Sequence, residues 1–222
     1  MTENFVIREA NLNDIDFIVE IIIQAEKSGT DKLGLATLLG LTEEQVREFL
    51  YRVLEEEVDG CEFSINRFLL AEVDCIPVGG VCGWIEGMNE ENMPSALLKA
   101  NVLSCVLSVE NLEYIRNLSS IIEGIQITRE VGTYQIEYVY VVPEYRRRGI
   151  IRSLLQAHIE KGLNEKESLE KVQVQVFADN LEAIKAYTKS GFGILKEYKA
   201  NNKLILNYLP GEVKLLLENK LK

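Results

Sequence analysis

Apolar and polar residues alternate along the chain in two rhythms, one of period two and one near 3.6, and together they outline a mixed fold. Phe5 to Arg8 is a short β-favouring run. From Asp14 the residues Ile15, Phe17, Ile18, Ile21 and Ile22 recur at helical spacing, with Asn13 placed to cap. Thr42-Glu43-Glu44-Gln45 has the form of a capping box and opens an acidic helix to about Glu57. Arg67 to Val73 and Val78 to Ile85 read as two strands joined across Asp74-Cys75-Ile76-Pro77. Met93 to Ile127 then breaks the rhythm. Pro94 suits a helix start, Leu112, Ile115, Leu118 and Ile122 keep helical spacing, and two helices dividing near Val109 to Asn111 are predicted.

Tyr134 to Val142 is an almost continuous run of β-branched and aromatic residues, as in a strand covered on both faces. Pro143 ends it, and a helix starts near Gly149. Lys171 to Phe177 alternates into a further strand, Asn180 to Ser190 reads as a helix closed by Gly191, and Phe192 to Lys199 and Val213 to Glu218 are β-prone. The predicted order is β-α-α-β-β-(αα)-β-α-β-α-β-β. With no repeat and no long linker, residues 1–222 are expected to form one domain with a helical insertion at about 87–132.

Composition narrows the function. The chain has 222 residues, 47% hydrophobic and 27% charged, which excludes a disordered polymer. Twenty-four basic against thirty-five acidic residues leave a net charge of −11, a field that repels phosphate backbones and attracts cations such as protonated amines. Nucleic acid is therefore not an expected partner. No stretch approaches the roughly 20 apolar residues that span a bilayer, and the N-terminus carries charges of both signs where a signal peptide needs an apolar run. A cytoplasmic protein with no membrane partner is expected. Cys61, Cys75, Cys82 and Cys105 show no CxxC spacing and are expected to be reduced and mostly buried. The single histidine, His158, lies in a helical stretch and reads as structural, which argues against a multi-histidine metal centre.

The chemistry concentrates in Val141-Val142-Pro143-Glu144-Tyr145-Arg146-Arg147-Arg148-Gly149-Ile150-Ile151-Arg152. A strand, a basic loop and a helix start put a series of backbone N–H groups at the positive end of a helix dipole, an anion site by geometry. Four arginines there invert the sign of an otherwise acidic protein, as a diphosphate ligand would require. A solvated basic turn is the plain alternative for the loop taken alone.

This segment resembles the coenzyme A-binding motif of the GNAT superfamily of N-acetyltransferases, Arg/Gln-x-x-Gly-x-Gly/Ala. About thirty residues on, Asn180-Leu-Glu-Ala183-Ile-Lys-Ala-Tyr187-Thr-Lys-Ser-Gly191-Phe192 is similar to the family's second signature, and Ile7-Arg8-x-Ala10-x-x-x-Asp14 to its opening strand and helix. The resemblance covers roughly residues 4–86 and 133–218. It departs at Ile151, where the family has Gly or Ala, and at Arg147, which replaces the commonest residue, glycine.

The resemblance implies an α/β (α+β) fold, with a mixed, mostly antiparallel sheet flanked by helices and a helical insertion between the third and fourth strands. It implies acetyl transfer from acetyl-CoA, as cosubstrate and without a metal, to a primary amine of a small molecule or peptide by direct attack. Val139, Tyr140 and Val141 would pair through their backbone with the pantetheine arm. Arg146, Arg147, Arg148, Gly149, Ile150, Ile151 and Arg152 would hold the diphosphate, Asn180 would contact the coenzyme arm, and Tyr187 would protonate the leaving thiolate.

Glu137 is the lone acid of its strand, where alternation puts Gln135, Glu137, Val139 and Val141 on one face. It matches the position of the candidate base in the polyamine branch, although Tyr138 replaces that branch's aspartate. Its plain alternative is a structural acid paired with an arginine or lysine. For Tyr187 the alternative is a core aromatic, and for Asn180 helix capping. No cysteine falls in either motif, so an acyl-enzyme has no obvious nucleophile.

The acidic helix from Glu43 suits a cationic acceptor but equally a solvated face. The apolar insertion either caps the acceptor side or forms a homodimer surface. A non-catalytic acyl-CoA-binding or regulatory module on the same fold is the second reading. A nucleotide-binding protein would need GxxxxGK[ST], which is missing.

Overall fold

A computed structural model describes residues 5–89 and 92–221. Seven strands form one sheet: β1 (Val6–Glu9), β2 (Phe68–Val73), β3 (Ile76–Ile85), β4 (Tyr134–Val141), β5 (Lys171–Phe177), β6 (Gly193–Lys199) and β7 (Val213–Lys220). Their order is β1-β2-β3-β4-β5-β7-β6. All neighbours are antiparallel except β4 and β5. The predicted strands thus appear within a few residues of their expected bounds. The β2–β3 turn is tighter than expected, only Asp74 and Cys75, both with positive φ (50° and 64°), which suits the twist of a two-residue hairpin.

One face of the sheet carries α1 (Ile15–Lys27), α2 (Gly34–Leu39), α3 (Glu43–Glu55), α4 (Ser95–Val106), α5 (Val109–Asn117) and α6 (Ser119–Ile122); the other carries α7 (Ile150–Glu165) and α8 (Leu181–Lys189). α1 is enclosed between the sheet and its neighbours, so Ile18, Val19, Ile21, Ile22 and Ile23 are all fully buried. The predicted capping box forms, with Thr42 accepting from the Gln45 N–H and Gln45 from the Thr42 N–H.

α2 and α6 go beyond the predicted elements, being too short to show a helical period. The insertion divides at Leu107–Ser108, where Ser108 caps α5, rather than near Val109 to Asn111. Leu98, Leu103, Val106, Leu107 and Ile115 of the insertion pack on the front cluster with α1 and α3, while Ile121, Ile122 and Ile125 pack with Ile205 and Leu209. Glu86 anchors the start of α4: its carboxylate accepts from the Ser95 N–H (2.8 Å) and hydroxyl (2.6 Å). Of the cysteines, Cys61 and Cys82 are buried but Cys75 and Cys105 are exposed, because a hairpin tip and a solvent face of α4 hold them; "mostly buried" is corrected to half. No helix among the described residues is long and apolar enough to cross a membrane.

Candidate active site

The site begins with a defect in the central strand. Tyr138 has φ of 51°, and the β3–β4 register slips there, from Gly80 opposite Tyr140 to Cys82 opposite Glu137. One extra residue in β4 inverts the alternation beyond it. Glu137 and Tyr138 therefore both belong to the front face, while Val139 and Val141 join the core behind. This corrects the expectation that Glu137, Val139 and Val141 share a face: a simple period of two holds only up to the bulge.

The same defect opens the sheet. β4 and β5 pair only from Tyr134–Val172 to Ile136–Val174, and then diverge. The Val142 N–H donates to Val78 O on the β3 side (2.9 Å), so by alternation the N–H groups of Val139 and Val141 point into the split. No strand covers them there.

At the mouth of the split stands the N-terminus of α7. Gly149 caps it with φ of 84°, and the first backbone bond of the helix is Ser153 N–H to Gly149 O. The N–H groups of Gly149, Ile150, Ile151 and Arg152 have no acceptor among the described residues. Ile150 is buried and Ile151 packs on the rear cluster, so the branched side chain that departs from the family pattern turns into the core. Arg147 adopts φ of 62°, a conformation natural to the glycine it replaces.

The arginines divide. Arg146 Nε donates to Val141 O (3.0 Å) under the Tyr140 ring, and Arg148 donates to Glu144 O (2.9 Å) beside Tyr145. Arg147 is exposed. Arg152 lines grooves on the outer side of α7 with Ile7, Gln156 and Glu160.

Tyr187 lies behind the split, 6% exposed and packed on Phe192. Burial pushes its phenol well above the ordinary value, and the charge of Glu137 adds to that. Its hydroxyl has no hydrogen-bond partner among the described residues. Asn180 caps α8 through Ala183 N–H (3.2 Å) and also donates to Ser28 Oγ (3.0 Å), tying α8 to the end of α1. Glu137, the lone acid of its strand, is paired as its plain alternative has it: Arg129 of the insertion donates to it at 2.9 Å.

Sequence reasoning missed most of the front chamber. Glu62, 2% exposed, accepts from Lys99 of α4 (2.9 Å) and lies 3.6 Å from Arg129, which also covers the Trp84 ring. Burial pushes Glu62 up, but Arg129 and Lys99 overcome it and hold the carboxyl at about 2. Glu26 of α1 and Lys214 of β7 face the same chamber. These residues come from scattered elements, and the one available signal was a charge between apolar neighbours, as in Cys61-Glu62-Phe63 and Val213-Lys214-Leu215. The acidic residues of α3 lie on its solvent side, with Glu43 paired to Lys27 and Arg47. His158 is a structural residue, fully buried, with Nδ1 2.9 Å from the Tyr134 hydroxyl and Nε2 2.9 Å from Val81 O.

A sequence model of the acetyltransferase (GNAT) family matches residues 38–192, about seventy per cent of the chain. No curated protein matches in sequence. Among solved structures, an N-acetyltransferase from Staphylococcus aureus Mu50 is similar over 96% of this chain and 99% of its own, with 19% identity and a TM-score of 0.62. A ribosomal-protein-alanine N-acetyltransferase from Brucella melitensis is similar over 97% and 99%, with 18% identity and a TM-score of 0.55. At these identities the likeness is one of fold.

Proposed function

Because the chain belongs to the GNAT acetyltransferase family, and is therefore an acyltransferase, we propose that it moves an acetyl group from acetyl-CoA to a primary amine by direct attack. The observation that carries the reading is the split between β4 and β5. It opens the uncovered N–H groups of Val139 and Val141 beside the uncovered N–H groups at the start of α7. Two rows of unsatisfied donors suit an amide-bearing arm ending in a diphosphate, and neither Ile151 nor Arg147 obstructs them.

Bound acetyl-CoA supplies the activated thioester. Val139 to Val141 hold the pantetheine arm, and Gly149 to Ile151 the diphosphate, with Arg147 adding charge. Glu137, positioned by Arg129, receives the proton that the acceptor ammonium gives up, directly or through water. The nitrogen then attacks the thioester carbonyl and the Val141 N–H holds the developing oxyanion. As the C–S bond breaks, Tyr187 hands its proton to the thiolate, and the second proton shed by the attacking nitrogen restores the phenol through water. Burial keeps the phenol protonated until the leaving group forms, although it also makes the phenol a weaker acid. Residues 87–132 belong to this one catalytic domain, since they bring Arg129 and Lys99 to the chamber.

Thermal unfolding with acetyl-CoA, CoA and ATP tests the reading. A ligand at about 100 times its Kd stabilises by roughly 2.7 kcal/mol, a readable shift. Shifts with both coenzymes but not ATP are expected, followed by thiol release with amines that Glu137→Gln and Tyr187→Phe each slow about a hundredfold without losing the shift. No shift at millimolar coenzyme rejects the reading. Coenzyme binding with no thiol release from any amine favours the binding-module alternative.

A further inference from the structure

Six charged side chains from six parts of the chain converge in the front chamber: Glu26, Glu62, Glu137, Lys99, Arg129 and Lys214. Four of them satisfy one another through the Lys99–Glu62, Arg129–Glu62 and Arg129–Glu137 contacts. Glu26 and Lys214 do not. Neither has a hydrogen bond or ion pair among the described residues, and they do not reach each other.

Both side chains are half-buried. The Glu26 carboxylate lies over Gly34, 3.2 Å from where a β-carbon would stand, with Leu209 and Pro210 alongside. Lys214 Nζ stands 4.9 Å from the centre of the Phe177 ring. Burial pushes the Glu26 carboxyl up and the Lys214 ammonium down. The Asn180–Ser28 bond closes this corner by joining the end of α1 to the start of α8. Two further atoms in the cluster, Glu62 Oε2 and Arg129 Nε, are buried with no partner. Native interiors seldom leave such atoms unpaired without a ligand or water to meet them.

A simple monocationic amine would meet Glu26 and leave Lys214 without an ion-pair partner. A molecule with one charge of each sign gives each of the two a partner.

Resting on the acetyl-transfer reading above, we propose that the acceptor is a zwitterion of the amino-acid class, its ammonium received by Glu26 and its carboxylate by Lys214. For transfer, the ammonium must reach Glu137, which takes its proton.

The test uses the full chain and three matched sets: free amino acids, their carboxamides, and the corresponding decarboxylated amines. Calorimetric titration without coenzyme reads binding, and thiol release with acetyl-CoA reads turnover. The free acids should exceed their carboxamides at least tenfold in affinity and in kcat/KM, the range lost when one charged hydrogen-bond partner is removed. Lys214→Met should bring that ratio to about one, and Lys214→Arg should keep most of it, with unfolding curves confirming that both variants fold.

Equal or better use of the carboxamides, or of peptide N-termini, overturns the proposal while leaving acetyl transfer standing. An absence of any coenzyme shift sinks the transfer reading instead. The titration then decides alone: acid binding lost in Lys214→Met supports the zwitterion site, and no binding of acids overturns it.

Discussion

The two faces of the sheet bury ionisable groups in opposite ways. Behind it, His158 sits in a site made to its measure: Gly83 has no side chain because a β-carbon would come within 2.7 Å of His158 Nδ1 and 2.6 Å of the Tyr134 ring. Both imidazole nitrogens are bonded, and burial drives the ring's pKa down to about 4, so it stays neutral. In front, charged groups gather, most of them half-buried, and two buried polar atoms stay without partners. A satisfied neutral network stabilises and needs no ligand. A charged chamber satisfied only in part is stabilised less well and retains affinity for something else.

The hardest way to strain this contrast is to remove the charge at the centre of the front face. Glu62→Leu would leave the largely covered Arg129 and the half-buried Lys99 without their shared carboxylate. Breaking a buried pair from one side costs about 3–5 kcal/mol, and urea denaturation should show a loss of that size. Adding Lys99→Met should recover part of it, since the second change removes one of the stranded charges. A loss under about 1 kcal/mol would mean that water already compensates the cluster.

Acidity separates the faces next. The folded state refuses His158 a proton until the pH nears 4, whereas an unfolded chain takes it up near 6.5. The neutral ring's contribution is therefore complete above pH 6.5 and is lost as pH falls towards 4. Between pH 7 and 5 this amounts to about 2 kcal/mol, and His158→Gln should remove most of that dependence. Glu62 follows a lower window: its contribution is intact above its ordinary value near 4.5 and fades as pH drops towards 2. Stability curves of the two variants against pH should thus part company at different acidities. A His158→Gln curve parallel to wild type from pH 7 to 5 would show that the imidazole titrates freely.

How far each face was legible in the sequence follows from the same difference. The rear face is built from periodic elements, so α7 and α8 were readable from spacing, and the resemblance to the family's second signature marked Asn180, Tyr187 and Gly191. His158 was readable as structural because it falls on the apolar stripe of a helix. The split itself was not, since the bulge at Tyr138 is a backbone event inside an unbroken β-branched run, with no glycine or proline to mark it. The front chamber was hidden for another reason. Glu26, Glu62, Lys99, Arg129 and Lys214 are scattered over nearly 190 positions, and only the tertiary fold brings them together. The lone acid of its strand, Glu137, met an arginine from the insertion, whose role no local pattern announces.

The smallest expected change in stability gives the most selective probe of the front face. Gly34 opens α2 without a positive φ, so alanine there is conformationally allowed and should gain up to about 1 kcal/mol of helix propensity. Its new β-carbon would stand 3.1 Å from Leu209 Cδ2 and 3.2 Å from Glu26 Oε2, so these neighbours must yield by a few tenths of an ångström. The strain offsets most of the gain, and net stability should move by less than about 1 kcal/mol. The displaced group is the flexible end of Glu26, which has no bond to hold it in place. Gly34→Ala should therefore raise the acceptor KM several-fold, with acetyl-CoA binding changed much less. An unchanged acceptor KM alongside unchanged stability would show that Glu26 moves aside without consequence, and the front face would then lose its proposed ammonium site while the rear face kept every role assigned to it.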